Sequence, residues 1–294
     1  MKLSTIQPGT YILAVSGGVD SVVLLDMISR LPEIKITVAH FDHGIRTTSH
    51  QDAEFVKALC KEYGAEYVSE RIELGKEASE EAARMARYAY LQKIKKHHSA
   101  AAIVTAHHAG DVLETIIINI IRGTGWRGLS VLRSENELIR PLLKNSKQEI
   151  YDYAKKNKLS WQEDETNQDT RYLRNYVRLN LTPKLSDEAK QQLLQLHDEQ
   201  VLLRQNIHNE LSLALTAATK SPNEYSRYFF TATNPLVAYE LLKSLTGATR
   251  PQLEKAVIAI KTAKMHSRHQ VGNGIELRFT KTTFIVVRPY IVVS

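Results

Sequence analysis

The chain reads as an α/β protein: a doubly wound, mostly parallel sheet, then a long helix, then a small α+β unit. Three observations predict this. Over residues 11–106, four short apolar runs alternate with helix-length stretches, the pattern of βαβ units. The first run, Tyr11-Ile12-Leu13-Ala14-Val15, passes through Ser16-Gly17-Gly18-Val19-Asp20-Ser21 straight into a second apolar run, as strand, tight loop and helix do. The last 45 residues combine one helical stretch with two short strand-like runs.

In order, strands are expected at 11–15, 35–40, 66–72 and 101–106, and helices between them at 20–31, 50–63 and 79–97. Val22, Leu24, Leu25 and Ile28 supply apolar faces for the first helix. Thr48 with Gln51 suits a capping box for the second, and Gly64 a stop. A fourth helix is expected from Asp111 to Ile121, followed by the glycine-containing loop Arg122–Gly128. Ser146 with Glu149 forms a second capping-box pattern, opening a helix that runs to about Asn157. Arg171–Leu181 reads as helical up to a break at Pro183. The stretch 187–217 is amphipathic through Leu193, Leu196, Leu203, Ile207 and Leu211. It suits a linker helix; a homodimer formed through it stays open, although the heptad is too irregular to favour a coil. A helix at 250–264 and strands near 275–279 and 283–288 complete the chain.

Composition narrows the class. The 294 residues carry 43% hydrophobic and 24% charged side chains, ordinary for a globular protein. No apolar run approaches the ~20 residues that cross a bilayer, and Met1–Ile6 lacks a signal core, so a cytoplasmic, membrane-free protein is expected. A single cysteine, Cys60, allows no internal disulfide. The net charge is +7, and Glu240–Ser294 alone holds nine Lys/Arg against three Glu. Such a surplus suits a polyanion such as RNA; a solvated basic face explains it as well.

The chemistry-bearing motifs lie at expected strand ends, where ligands of such sheets bind. In Ser16–Ser21 two glycines let the backbone approach a ligand, and serines, amides and a helix N-terminus offer donors to phosphate. The loop has no lysine, so it is not the G-x-x-x-x-G-K-[ST] loop. Asp20 would repel phosphate unless a cation intervened, which implies Mg²⁺. After the second strand comes His40-Phe41-Asp42-His43-Gly44-Ile45-Arg46, and after the fourth Thr105-Ala106-His107-His108-Ala109-Gly110-Asp111-Val112-Leu113-Glu114-Thr115. Adjacent His107 and His108 point to opposite faces of an extended segment, which argues against a shared zinc. Asp111 and Glu114, at i and i+3, share a face of a helix N-terminus and can hold a cation or an ammonium; dipole complementation is the plainer role. Arg171, Arg174 and Arg178 share one face if helical, suited to phosphate or to solvent.

Taken together, these motifs, with Arg122–Leu129, Arg140-Pro141-Leu142-Leu143, Trp161, Asp164, Asn167 and Glu81–Arg84 followed by Arg87-Tyr88, resemble the tRNA(Ile)-lysidine synthase family of the N-type ATP pyrophosphatases. The likeness is close over about 10–180. It implies an adenine nucleotide alpha hydrolase-like domain over 1–185, a linker helix over 186–217 and a basic tRNA-binding domain over 218–294. It implies an ATP-dependent ligase that joins free lysine to C2 of the wobble cytidine of a tRNA(Ile) with a CAU anticodon, through an adenylated base. Ser16, Gly17, Gly18, Val19 and Ser21 would cradle pyrophosphate, with His40 and Arg46 framing the nucleotide. Asp20 and Asp111 would hold Mg²⁺, Asp111 and Glu114 would meet lysine, and Glu114 or His107 would take a proton. Arg84, Arg87, Arg171, Arg174 and Arg178 would contact tRNA or adenylate. One departure stands out: the family usually has two aspartates where this chain has Gly110-Asp111. A tRNA thiolase of the same superfamily and a small-molecule adenylating ligase are the alternatives; the first ordinarily needs paired cysteines, and this chain has one.

Overall fold

The fold is described from a computed structural model, covering all residues except 2, 5, 45–48, 74, 76–79, 164–168 and 290–294. Arg46, Asp164, Asn167 and the Thr48 cap lie outside the described residues. Two compact units are present, Met1–Val201 and Leu202–Ser294.

The first unit runs β1 Gly9–Ala14, α1 Val19–Ser29, β2 Ile34–Asp42, α2 Ser49–Tyr63, β3 Glu66–Arg71, α3 Glu80–His97, β4 Ala102–Val104, α4 Ala109–Ile121, β5 Leu138–Ile139, α5 Lys147–Lys156 and α6 Leu173–Tyr176. All five strands are parallel, in the order β3-β2-β1-β4-β5. The order reverses between β1 and β4, which opens a crevice at their carboxyl ends. The loops that leave these two strands are Ser16–Gly18 and Thr105–His108.

Side chains along β1 alternate between two cores, as the strand period requires. Leu13 and Val15 pack with Val22, Leu25, Val56 and Ile150 on one face. Ile12 packs with Tyr90, Leu91 and Ile103 on the other. Gly64, at φ +64°, closes α2, and the Ala65 amide donates to the Cys60 carbonyl at 2.9 Å. Buried Asp26 of α1 accepts from Tyr63 of α2 at 3.0 Å and Tyr153 of α5 at 2.7 Å, which fixes α5 against α1. The α5 capping box forms as the sequence implies, with Asn157 ending the helix.

One expectation needs correcting. The helix from Arg171 begins only at Leu173, and it passes at Val177 into a π-helical turn, Val177–Leu181, before the single turn Thr182–Lys184 that contains Pro183.

α7, Asp187–Ala218, runs across the division between the units. In the first unit its Leu193 and Leu194 pack on Val112, Ile116 and Leu132. In the second, Leu211, Ala214 and Leu215 join the core. That unit continues with β6 Thr219–Ser221, β7 Glu224–Ser226, α8 Arg227–Ala232, α9 Pro235–Thr246, α10 Arg250–Thr262, β8 Arg268–Gly272, β9 Ile275–Phe279 and β10 Thr283–Val287. Its sheet, in the order β6-β7-β10-β9-β8, is antiparallel. Phe230, Leu241, Leu242, Ile260, Leu277 and Phe284 form its core. Among the described residues no helix is long and apolar enough to cross a membrane.

Candidate functional site

The loop after β1 is shaped by its small residues. Gly17 sits at φ +95°, a conformation that side-chain-bearing residues rarely adopt. Gly18 is the N-cap of α1, in extended conformation, and no side chain caps the helix there. The Ser21 hydroxyl donates to the Gly18 carbonyl at 2.8 Å and accepts from the Ser16 amide at 3.3 Å. The Gly18 amide donates to Ser16 Oγ at 3.4 Å. The loop is thus bonded to itself, while the first turn of α1 keeps its positive end open to an anion. Val19 contributes backbone only, since its side chain is buried in the core.

Two bonds hold the loop from outside. His40 Nδ1–H donates to the Val15 carbonyl at 2.9 Å, and the Gln162 amide donates to the Gly17 carbonyl at 3.0 Å. His40 is 4% exposed. It therefore braces the loop from beneath. In the same segment Asp42 Oδ1 accepts from the Gly44 amide at 2.8 Å, a local turn.

The loop after β4 ends in a capping box of unusual composition. His108 Nδ1 accepts from the Gly110 amide at 3.0 Å, and the His108 amide donates to Asp111 Oδ2 at 2.9 Å. A Cβ at position 110 would lie 2.7 Å from His108 Cε1. Glycine is what lets the ring fold over the helix end. His108 Nε2 then lies 3.8 Å from Asp20 Oδ1 and 3.6 Å from Asp111 Oδ2, so the two carboxylates flank one ring. Burial alone would raise the Asp111 carboxyl. The His108 ring, the bond from its amide and Arg174 instead hold it below the usual carboxylate range.

His107 turns the other way, with Nδ1 2.9 Å from Thr105 Oγ1. Burial, reinforced by Arg140, Arg87 and Arg174 against the pull of Asp111, lowers its pKa to about 3, so the ring is neutral at pH 7. Arg84 and Arg87 of α3 both lie over the Tyr88 ring, at 5.5 and 5.6 Å.

The arginines of the π-helical region separate. Arg178 Nε and a terminal nitrogen donate to the two Glu114 oxygens at 2.6 and 3.0 Å, and a terminal nitrogen lies 3.7 Å from Asp111 Oδ1. Burial opposes the charge on Arg178, but Glu114, Asp111 and Asp20 together raise its pKa. Arg174 donates to Thr115 Oγ1 at 3.3 Å. Arg171 lies in the turn before α6 and forks onto Asp169, so it does not share their face.

Asp20, Asp111, Glu114, Arg174 and Arg178 therefore meet at one crevice. Sequence reasoning named His108 and buried Arg140 within its motifs but gave neither a role, and it missed Lys147. Lys147 Nζ donates to both Asp20 oxygens, at 2.7 and 2.8 Å. One signal was available, because Lys147 directly follows the Ser146 cap and a cation is disfavoured at a helix N-terminus.

The donor set suits magnesium. Asp20 and Asp111 are hard oxygen ligands beside an anion-binding helix end, and Mg²⁺ is commonly held by one or two carboxylates plus substrate phosphates. Among the described residues no three His, Cys, Asp or Glu side chains cluster into an all-protein metal cage.

The PP-loop domain family matches residues 3–185. A tRNA(Ile)-lysidine synthase of Thermotoga maritima is 39% identical over 193 residues, 62% of this chain and 47% of that protein. One from Haemophilus ducreyi is 39% identical over 186 residues, 61% of this chain and 42% of that protein. The chain spans about half the length of the curated relatives it matches. Among solved structures, a tRNA thiolase of Methanococcus maripaludis with its 4Fe–4S cluster has a TM-score of 0.55 at 16% identity, over 67% of this chain and 73% of that one, a likeness of fold. The open loop after β1, the strand order that reverses beside it and a family match over more than half of the residues lead to the same place: the chain belongs to the PP-loop family.

Proposed function

We propose that the chain is an ATP-dependent ligase of the tRNA(Ile)-lysidine synthase type, which joins free L-lysine to C2 of the wobble cytidine in a tRNA(Ile) with a CAU anticodon. The observation that carries this reading is the convergence of Asp20 with the buried pair Asp111 and Glu114 around a phosphate-type loop. Adenylating ligases need the first part; an amine nucleophile needs the second. The names of the relatives point to the same acceptor.

In this reading the cytidine carbonyl oxygen attacks the α-phosphorus of ATP and pyrophosphate leaves. The ε-amine of lysine then attacks C2 and AMP departs. The amides at the start of α1, with Ser16 and Ser21, receive the pyrophosphate. Asp20 and Asp111 would hold Mg²⁺, which when bound neutralises phosphate charge. Asp111 and Glu114 orient the lysine ammonium, and positioning supplies much of the rate. Neutral His107 offers one hydrogen bond and is a weak base among its arginines, and Glu114 is the proposed proton acceptor. Arg84, Arg87, Arg171, Arg174 and Arg178 would contact adenylate or tRNA phosphate. The unit rich in basic residues, 218–294, is the tRNA-binding domain and 186–217 its linker; 1–185 is the catalytic domain, and a cytoplasmic location follows from the substrate.

The test is AMP release with ATP, lysine and tRNA. Asp111→Ala is expected to abolish lysine-dependent release while leaving the fold intact by circular dichroism. Turnover at the unmodified rate in that variant contradicts the assignment.

A further inference from the structure

We propose that Lys147 is the phosphate-binding lysine of a loop that carries none of its own. The inference rests on reading Ser16–Ser21 as a pyrophosphate site, and it adds a residue to that site from α5.

Lys147 places its ammonium on both oxygens of Asp20, the single acidic residue of the loop. It does so from the first position of α5, the end of a helix where a cation is least favoured. A surface ion pair by itself contributes little to stability, so stability is a poor reason for a lysine there. The frame around it is tied to the loop and to the helix that follows it. Tyr153 bonds Asp26 of α1, and the Gln162 amide bonds the Gly17 carbonyl. The ammonium also lies 5.1 Å from the Tyr151 ring, whose edge meets Trp161 next to Gln162. The lysine side chain is 40% exposed and Asp20 29%, so the pair faces solvent where an anion would enter.

An ammonium on a flexible stem is suited to binding phosphate as a point charge. With no anion present, Asp20 is its counter-ion. When a pyrophosphate group enters, Lys147 moves from carboxylate to phosphate oxygen and Asp20 is released at the same moment, free to ligate a divalent cation. Phosphate and cation thus load together, because each removes the other's competitor.

Calorimetric titration with inorganic pyrophosphate, with and without Mg²⁺, tests this on the full chain. Lys147→Ala is expected to weaken pyrophosphate binding by roughly tenfold or more, with Lys147→Arg restoring most of it. Lys144→Ala, which removes an equal charge from a lysine paired with Asp198, is expected to bind as the unmodified chain does. Unchanged affinity in Lys147→Ala overturns the proposal and leaves the loop reading standing. An equal loss in Lys144→Ala also overturns it, in favour of a net-charge effect. Failure of the unmodified chain to bind pyrophosphate removes the loop reading and this proposal together.

Discussion

Arg178 reaches Glu114 and Asp111 from one π-helical turn, and its removal would strand a Glu114 side chain that is 5% exposed. Breaking a buried pair from one side costs about 3–5 kcal/mol. Arg178 itself is 35% exposed, so Arg178→Met is expected to cost about 2–3 kcal/mol in urea unfolding, scaled down for solvent. His107 gives a second test at this scale. Its folded pKa is near 3, against 6.5 for an ordinary histidine. Between those values the unfolded chain binds a proton that the folded chain refuses, so stability falls as pH drops from about 6.5 toward 3. His107→Gln is expected to flatten that slope in midpoint measurements across pH 7 to 4. An identical slope in the variant would assign the acid sensitivity elsewhere. Cys60 is buried in α2 and burial raises its thiol to about 11, so it should resist alkylation in the folded protein.

Among the elements, the turn between β1 and α1 depends most on backbone geometry. Gly17→Ala is expected to cost about 1–3 kcal/mol, because φ +95° is strained for any side chain, and to weaken pyrophosphate binding. In the second unit, Arg227 donates to the Ile260, Ala263 and Thr280 carbonyls, closing the C-terminal end of α10. Arg227→Ala is expected to destabilise that unit by about 2 kcal/mol, readable as faster amide exchange in α10.

The same elements show what the sequence discloses. Apolar runs long enough to cross the core, such as Tyr11–Val15, announce their strands. β5 has two residues, Leu138 and Ile139, and exists because it pairs with β4, so no local pattern marks it. The Ser146 cap was legible because its partner Glu149 is three residues away; the His108 cap was not, because a ring acceptor needs Gly110 to make room. Asp111 and Glu114 were legible as an i, i+3 pair. Lys147 was not, since only the tertiary packing of α5 brings it to the loop. Arg171 falls off the face of Arg174 and Arg178 because the helix starts only after it, at Leu173, which no local pattern marked.

Across the whole molecule, charge is spread unevenly. The acidic residues of the crevice lie in the first unit, while Glu240–Ser294 holds nine basic residues and three acidic ones. If the second unit grips tRNA phosphate, the logarithm of affinity should fall linearly with the logarithm of salt concentration. A salt-insensitive affinity would point away from phosphate contacts. The proposed reaction couples lysine to one base at this crevice. Incubation with ATP, radiolabelled lysine and tRNA transcripts that differ only at the wobble position tests it most directly. Label is expected in the cytidine transcript and not in the uridine transcript; equal labelling of both, or none in either, would contradict it.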